Sequence, residues 1–163
     1  MNQVWFGTAG NPDEFYEAGK KRSEQMPGWL YDCGLNAYEY QCGRGVNVGE
    51  ETARKIGAEA KAFGIKMSLH APYFISLATT DEQIFENTKR HFFNSLRAAQ
   101  WLDAYAVVFH IGGVGKLRRE DAFALAKTRF GTIVREAETL GLNDVKLAPE
   151  THGKVNQLGT LPE

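Results

Sequence analysis

Three short apolar segments of the chain each end in a histidine or a glutamate, at a fixed interval. The segments with their final residues are 64–69 with His70, 106–109 with His110, and 145–149 with Glu150. Forty residues separate His70 from His110, and forty separate His110 from Glu150. One helix-like segment fills each interval, so the repeat predicts successive strand–helix–strand units whose strands are parallel.

The carboxyl ends of parallel strands lie at one edge of a sheet, where α/β proteins place their ligand and active sites. We therefore expect His70, His110 and Glu150 to lie close together. Two imidazoles and a carboxylate are the ligands of a catalytic zinc site that keeps one position open. Zn²⁺ is the predicted cofactor, with Mn²⁺ or Fe²⁺ as alternatives. Because the ligands bind without their protons, metal affinity should fall as the pH drops through the range where histidine titrates.

Each of these residues, taken alone, has a simpler explanation, such as a hydrogen-bonded histidine at a strand end. The three together favour a metal, because an imidazole or a carboxylate at the rim of an apolar core needs a polar partner. One cation would serve His70, His110 and Glu150 at once. The sequence therefore predicts a metal centre at this edge of the sheet.

Two more apolar segments, residues 4–6 and 35–40, bring the predicted strands to five. Four helices are predicted between them. They are 13–25, stopped by Pro27 and Gly28; 50–63; one opened by the capping-box pattern of Thr80 and Gln83; and one ended by Gly141. This regular alternation, with polar residues at strand ends, is typical of a TIM (β/α)8 barrel rather than of a Rossmann sheet.

A complete barrel has eight strands and roughly 200 residues or more, whereas this chain has 163 residues. We predict one α/β domain, residues 1–163, that forms the first five strands and four helices of a barrel. No GxGxxG motif follows the first strand, so a dinucleotide site has little support. The open strand edges of a partial barrel predict pairing with a second copy, or poor solubility.

The composition is that of an ordinary globular protein, with 43% apolar and 24% charged residues and a formal net charge of −1. This balance excludes a broadly basic nucleic-acid surface but leaves room for a local basic patch. No apolar run approaches the roughly 18 residues of a membrane span, and no signal peptide opens the chain. We expect a cytoplasmic protein with no membrane partner, in which Cys33 and Cys42 are reduced thiols.

Three side chains near the predicted metal centre are candidates for contact with a nucleic acid. Tyr73 and Phe74 follow His70 in the same loop, and an exposed aromatic pair can stack on bases or wedge between them. Arg44 lies between two glycines, in a loop that can reach a phosphate. The alternatives are ordinary loop packing for the aromatic pair and a solvated surface position for Arg44. Of the other histidines, we expect His91 on the surface of a helix and leave His152 open.

Three motifs resemble those of endonuclease IV, the metal-dependent apurinic/apyrimidinic endonuclease family of xylose-isomerase-like TIM barrels. They are Ser-Leu-His-Ala-Pro-Tyr-Phe-Ile-Ser-Leu-Ala at 68–78, Val-Val-Phe-His-Ile-Gly-Gly at 107–113, and Pro-Glu-Thr-His-Gly-Lys at 149–154 followed by Leu-Gly at 158–159. The first motif is fairly specific, and the other two are shorter but fall in the right order and spacing. The resemblance covers most of the chain and is strongest over residues 65–159.

The resemblance implies that His70 and His110 bind one zinc and that Glu150, the candidate catalytic residue, bridges this ion to a second. It implies that Tyr73 and Phe74 meet double-stranded DNA at an abasic site, and that Arg44 corresponds to an arginine inserted into the duplex. The implied activity is DNA repair by cleavage of the phosphodiester 5′ to the abasic site.

Two departures from the family's pattern limit what the resemblance implies. The first strand lacks the histidine that follows it in the bacterial branch, and the family's remaining ligands come from strands six to eight. We therefore expect the metal centre to be incomplete in this chain. A sugar isomerase or epimerase of the same superfamily is the alternative enzyme, and a non-catalytic half-barrel is the alternative of another class.

Overall fold

Five parallel strands form one sheet in the computed structural model, which describes residues 4–163. The strands are β1 (Gly7–Ala9), β2 (Ala37–Gln41), β3 (Lys66–His70), β4 (Ala106–Phe109) and β5 (Lys146–Pro149). Their order in the sheet is their order in the chain, and each pairs with the next in parallel. All five carboxyl ends therefore lie on one edge, and the predicted partial barrel is confirmed.

Five α-helices connect the strands: α1 (Asp13–Glu17), α2 (Met26–Asp32), α3 (Glu50–Phe63), α4 (Glu82–Trp101) and α5 (Arg119–Thr139). A short 3-10 turn, Ser23–Gln25, precedes α2. The helix α3 has the predicted bounds and ends at Gly64, whose φ of 69° provides a left-handed cap. Over the described range, none of the helices is both long enough and apolar enough to cross a membrane.

The helices cover one face of the sheet with an apolar core. Strand residues alternate between the two faces, so Leu69, Val107 and Phe109 point into this core. The Phe109 ring packs against Phe92 of α4 at 4.8 Å and against Phe130 of α5 at 5.4 Å between ring centroids. The other face is the inner face of the partial barrel, and its polar side chains lead up to the edge where the strands end.

The predicted first strand, residues 4–6, is wrong in position. Strand β1 begins at Gly7, and Trp5 and Phe6 are 43% and 66% exposed. The Phe6 N–H donates to the Asn36 side chain, and the Phe6 carbonyl accepts from the backbone of Asn36 and Ala37. These residues lie at the open edge of the sheet, where apolar side chains have no helix to pack against.

The predicted helix 13–25 is also wrong, and residues 4–163 form five α-helices rather than the predicted four. Helix α1 ends early and Gly19 follows with φ of 75°, a left-handed conformation that breaks the helix. Pro27 and Gly28 lie within α2 rather than stopping a helix. Proline is tolerated in the first turn because its missing N–H has no partner there anyway.

The start of α4 differs from the predicted capping box. Asp81, not Thr80, is the N-cap residue, and its carboxylate accepts a hydrogen bond of 3.0 Å from the backbone N–H of Ile84. An aspartate is as good a cap as threonine, and its charge favours the positive end of the helix dipole.

The loops after β3, β4 and β5 interlock at the carboxyl edge. The Leu77 N–H donates to the Ile111 carbonyl, and the Leu158 N–H donates to the Gly112 carbonyl, each at 3.0 Å. Gly113 and Gln157 form an isolated antiparallel bridge. These contacts fix the three loops against one another, and the side chains at the strand ends with them.

Candidate metal centre

The structure brings His70, His110 and Glu150 together. His70 is the last residue of β3, whereas His110 follows β4 and Glu150 follows β5. Each residue offers one ligand atom, and these three atoms lie within 4.8 Å of one another. Neighbouring parallel strands of similar length bring their ends into register, which is why three residues spaced forty apart meet at one point.

One oxygen of Glu150 faces both imidazoles. Its Oε2 lies 3.0 Å from Nε2 of His70 and 2.8 Å from Nε2 of His110. The two rings are 5.0 Å apart between centroids and nearly perpendicular, at 86°. Both contacts use Oε2, so neither histidine engages Oε1.

The other ring nitrogen of His70 fixes its tautomer. Nδ1 lies 2.9 Å from the backbone carbonyl oxygen of Ala71, which can only accept. Nδ1 therefore carries the proton, and in a neutral ring Nε2 presents a lone pair. That lone pair faces Glu150 Oε2, which is also an acceptor, so a proton or a cation belongs between the two atoms. A metal-binding histidine whose other nitrogen donates to a backbone carbonyl is the usual arrangement around a protein-bound metal.

The two histidines also keep Glu150 in the form that binds metals. A proton between Nε2 of His70 and Glu150 is the main reason that the pKa of the Glu150 carboxyl lies below its usual range, and His110 acts in the same direction against partial burial. A cation between the same atoms would act in the same direction. The side chain of His70 is 15% exposed and that of Glu150 is 44% exposed. The donors therefore combine a buried side with a side open to solvent, as a site with a free coordination position requires.

Gly159 fixes the backbone at Glu150, and sequence reasoning missed this role. Its φ is 105°, and a Cβ atom there would lie 2.9 Å from the Glu150 carbonyl oxygen. The Gly159 carbonyl in turn accepts a 2.7 Å hydrogen bond from the backbone of His152. The glycine itself was the only signal in the sequence, since a close approach of two backbones needs a residue without a side chain.

The predicted aromatic pair is exposed beside the donors. Tyr73 and Phe74 are 53% and 49% exposed, and their ring centroids are 4.5 Å apart. They form one wall of a groove of about 400 Å³ that reaches His110, with Lys154 on the wall supplied by the loop after β5. An exposed aromatic pair at the mouth of a groove provides a surface on which a flat ring can stack.

His91 has a role that the sequence did not indicate. It is half-buried rather than on the surface, and its ring stacks on Phe74 with centroids 5.9 Å apart and planes 29° apart. Burial is the main reason that its pKa is lowered, and the neighbouring Arg90 adds to the effect. His91 therefore supports the aromatic pair from α4 and does not join the metal donors.

The structure places neither Arg44 nor His152 in the donor cluster. Arg44 is exposed, and its loop is joined to the aromatic pair by a 3.2 Å hydrogen bond from the Tyr73 N–H to the Gly43 carbonyl. Arg44 is not among the residues that line the groove. The His152 ring packs edge-to-face on His110, with centroids 4.6 Å apart, and does line the groove.

Solved structures similar to this chain include both nucleases and sugar epimerases. Endonuclease IV from Thermus thermophilus superposes with a TM-score of 0.59 at 20% identity, over 84% of this chain and 50% of that one. D-psicose 3-epimerase from Clostridium cellulolyticum superposes with a TM-score of 0.71 at 12% identity, over 86% of this chain and 50% of that one. At such identities the likeness concerns the fold alone.

Sequence comparison gives the family. An uncharacterised protein of Methanocaldococcus jannaschii is 33% identical over an alignment of 166 positions, which covers 97% of this chain and 55% of that protein. The chain thus spans about half the length of the curated relative that it matches. The sequence profile of the xylose isomerase-like TIM barrel matches residues 28–163. With five parallel strands in barrel order and this match over most of its length, the chain belongs to the xylose isomerase-like TIM barrel family.

Proposed function

We propose that this chain provides one half of the metal centre and part of the DNA-binding surface of an endonuclease IV-like enzyme. That enzyme hydrolyses the phosphodiester 5′ to abasic sites in double-stranded DNA. The observation that carries the proposal is the two-histidine, one-carboxylate cluster, one member of which, His110, lines a groove together with Tyr73 and Phe74. The motifs around these residues, which resemble endonuclease IV, support the same function.

The donor set fits a zinc ion, with manganese or iron as alternatives. His70 and His110 would bind through Nε2, and Glu150 would bind through Oε2, the atom that faces both rings. A bound zinc ion polarises a phosphoryl oxygen and lowers the pKa of a water molecule to near neutrality. Glu150 is the catalytic residue of the proposal, because it would hold the ion through Oε2 while its Oε1 is not engaged by the histidines.

The remaining residues of the proposal bind and orient the DNA. Tyr73 and Phe74, supported by His91, would fill the space left by the missing base and stack on its neighbours. Lys154, which lines the same groove, and Arg44 in the adjacent loop would contact phosphates. Insertion of the aromatic pair is favoured at an abasic site, because no base has to be unstacked there and part of the energetic cost is absent.

A sugar isomerase or epimerase is the competing enzyme of the same family. Such an enzyme would also use Glu150, as a metal ligand or as a base. The second histidine separates the two hypotheses, because capture of one metal by His70 and His110 together favours the nuclease. Binding of ketohexoses without any preference for abasic DNA would support the isomerase and overturn our proposal.

Metal content tests the centre itself. Elemental analysis of the purified chain should find about one zinc per chain, the count expected for one three-ligand site. His70→Ala should lose it, whereas His91→Ala, a histidine outside the cluster, should keep it. Equal metal content in all three proteins would show that the ion binds elsewhere and would contradict the assignment.

DNA binding tests the groove. Fluorescence anisotropy should show tighter binding to a duplex with an abasic-site analogue than to the intact duplex. The Tyr73→Ala, Phe74→Ala double variant should lose this preference by about tenfold or more, since each stacked base contributes about 1–3 kcal/mol. Tyr31→Ala removes an equally exposed aromatic side chain on α2 and should change nothing. Cleavage itself is measured on a protein extended to the length of a complete barrel, and uncut abasic DNA with the metals bound would refute the nuclease.

A further inference from the structure

A carboxylate on the inner face of the partial barrel lies just below the proposed metal centre. Glu39 of β2 accepts a 3.0 Å hydrogen bond from the Gln41 side-chain amide at Oε1. It accepts a second, of 3.1 Å, from the Ser68 hydroxyl at Oε2. Both carboxylate oxygens therefore act as acceptors, as expected of the charged form.

The strand register places Glu39 one layer below His70. Glu39 pairs with Ser68, and Gln41 pairs with His70, across β2 and β3. All four residues lie on the inner face, because strand positions two apart point the same way. Two residues of rise and one strand spacing put the Cα atom of Glu39 roughly 8 Å from the Cα atom of His70.

Glu39 has no cation partner of its own. Within residues 4–163, no lysine, arginine or histidine nitrogen pairs with its carboxylate within 4.0 Å. The side chain is half-buried and held by two neutral donors. A partly buried charge without a counterion is unfavourable unless a cation lies nearby. Lys66 lines the same cavity as Glu39 but forms no ion pair with it within 4.0 Å, so a divalent ion held by His70, His110 and Glu150 would add a cation near this charge.

We infer that Glu39 is a positioning residue of the metal centre, whose charge, fixed in place by Ser68 and Gln41, strengthens the binding of a divalent cation at His70, His110 and Glu150. This inference rests on the metal site of the proposed function. Glu39 does not bind the ion directly; its contribution is the attraction between one negative charge and a doubly positive ion one layer above. The hydrogen bonds to Ser68 and Gln41 keep that charge at a constant distance.

Titration of the metal-free chain with Co²⁺ and with Zn²⁺ tests the inference through affinity rather than activity. Glu39→Gln removes the charge and keeps the shape, and should raise the dissociation constant by about sixfold to thirtyfold. This range is the Coulomb effect of one charge on a divalent ion at effective dielectric constants between about 40 and 80, with the backbone separation of roughly 8 Å taken as the distance between them. Glu39→Asp should restore most of the affinity, since it restores the charge.

A matched control and a milder variant keep the result unambiguous. Glu51→Gln removes a carboxylate from the exposed surface of α3 and should leave affinity unchanged. Ser68→Ala keeps the Glu39 charge but releases it, and should weaken binding by about twofold to threefold. This variant decides the question if Glu39→Gln does not fold, because unchanged affinity in Ser68→Ala would then overturn the inference.

The failure of this inference is distinguishable from the failure of the proposed function. If the unaltered chain binds neither Co²⁺ nor Zn²⁺ at the His70 cluster, the proposed metal centre is wrong and the inference is wrong with it. If the unaltered chain binds metal and Glu39→Gln binds it equally well, the centre stands and only the role of Glu39 is overturned. Equal losses in Glu39→Gln and Glu39→Asp would indicate a packing effect and would also overturn that role.

Discussion

Nδ1 of His70 lies 2.9 Å from the backbone carbonyl oxygen of the next residue, Ala71. The strand ends at His70, and the chain turns so that this carbonyl points back at the ring. The contact leaves Nε2 unprotonated in the neutral ring and directs it at Glu150. The protein thus orients one metal donor with a main-chain atom where many metal sites use a second side chain.

Substitution of His70 by asparagine should separate folding from metal binding. The asparagine amide keeps a donor near the position of Nδ1, so its hydrogen bond to the Ala71 carbonyl can persist while the ligand at Nε2 is lost. We expect metal affinity to fall by at least about 100-fold. Metal-free stability should fall by only about 0.5–1.5 kcal/mol, because the contact between Nε2 and Glu150 is lost while the hydrogen bond to Ala71 can persist. Calorimetric metal titration and urea unfolding measure the two quantities, and parallel losses would contradict this prediction.

Gly112→Ala should destabilise the loop that carries the aromatic pair. An added Cβ would lie 2.9 Å from the Ser76 Cα and 3.0 Å from the Ile75 carbonyl oxygen, at a φ of 104°. We expect a loss of about 2–4 kcal/mol from overpacking and backbone strain. Gly115→Ala is the control, because its φ is 64° but nothing lies within 4 Å. The free energy of unfolding of Gly115→Ala should fall by only about 1–2 kcal/mol. Urea unfolding measures both variants, and an equal fall in Gly112→Ala and Gly115→Ala would show that the structure relieves the clash at Gly112.

Arg129 joins α5 to the start of α4. Its removal should destabilise the end of the loop between β3 and α4, the loop that carries the aromatic pair. Its guanidinium donates to the Thr79 carbonyl and to Glu82, and lies 4.2 Å from the centroid of the Phe85 ring. Arg129→Leu should destabilise the protein by about 2–3 kcal/mol, because the carbonyl and the carboxylate lose a charged donor. Arg135→Leu, on the exposed side of α5, should cost less than about 0.5 kcal/mol. Similar unfolding midpoints for the two variants would contradict this role of Arg129.

Stability should depend on the pair of Arg119 and Glu163 at acid pH. The hydrogen bond from Arg119 is the main reason that the pKa of Glu163 falls from 4.5 to about 2. Because the folded value is the lower one, the pair stabilises the fold above pH 4.5, and this stabilisation is lost as the pH falls towards 2. The difference in unfolding free energy between the unaltered chain and Arg119→Gln should therefore shrink over this window.

The measurement is urea unfolding at several pH values across this acid range, with Arg118→Gln as the control. Arg118 pairs with Asp121 on the exposed first turn of α5. A difference for Arg119→Gln that is constant with pH would show that Glu163 does not sense this arginine.

The open edges of the sheet should make the chain associate with itself. Within the described range, residues 4–163, strands β1 and β5 each pair with a neighbour on one side only, and such edges template pairing with another chain. Sedimentation should show concentration-dependent association. Ala9→Lys on the β1 edge should weaken it, whereas Ala18→Lys, also exposed but outside the sheet, should not. A monomer at roughly 100 μM, well above the micromolar range of weak interfaces, would contradict the prediction.

The parts of the fold that follow from local periodicity were predictable from the sequence. Buried strands such as β4 are continuous apolar runs, and α3 has both an amphipathic repeat and a terminal glycine. The meeting of His70, His110 and Glu150 followed from parallel strands alone. The first thirty residues were not predictable in the same way, because α1 and α2 are short and the apolar residues before β1 lie at an unpaired edge.

Contacts that depend on the tertiary fold could not be read from the sequence. The stacking of His91 on Phe74 joins a helix to a loop. The approach of Gly159 to Glu150 and the hydrogen bond from Ser68 to Glu39 join residues that become neighbours only in the barrel. Local patterns carry no information on such pairs, and a lone polar residue in a strand does not reveal its partner.

The orientation of His70 by the Ala71 carbonyl also has an evolutionary consequence. Every residue type has a carbonyl oxygen, so substitution at position 71 does not remove the acceptor. A side chain in that role would have to be preserved by selection together with the histidine. Here the main chain alone fixes the orientation of the His70 ring. The side chains of this loop can therefore differ between related proteins, and the reactivity of the pocket can change, without loss of the metal donor.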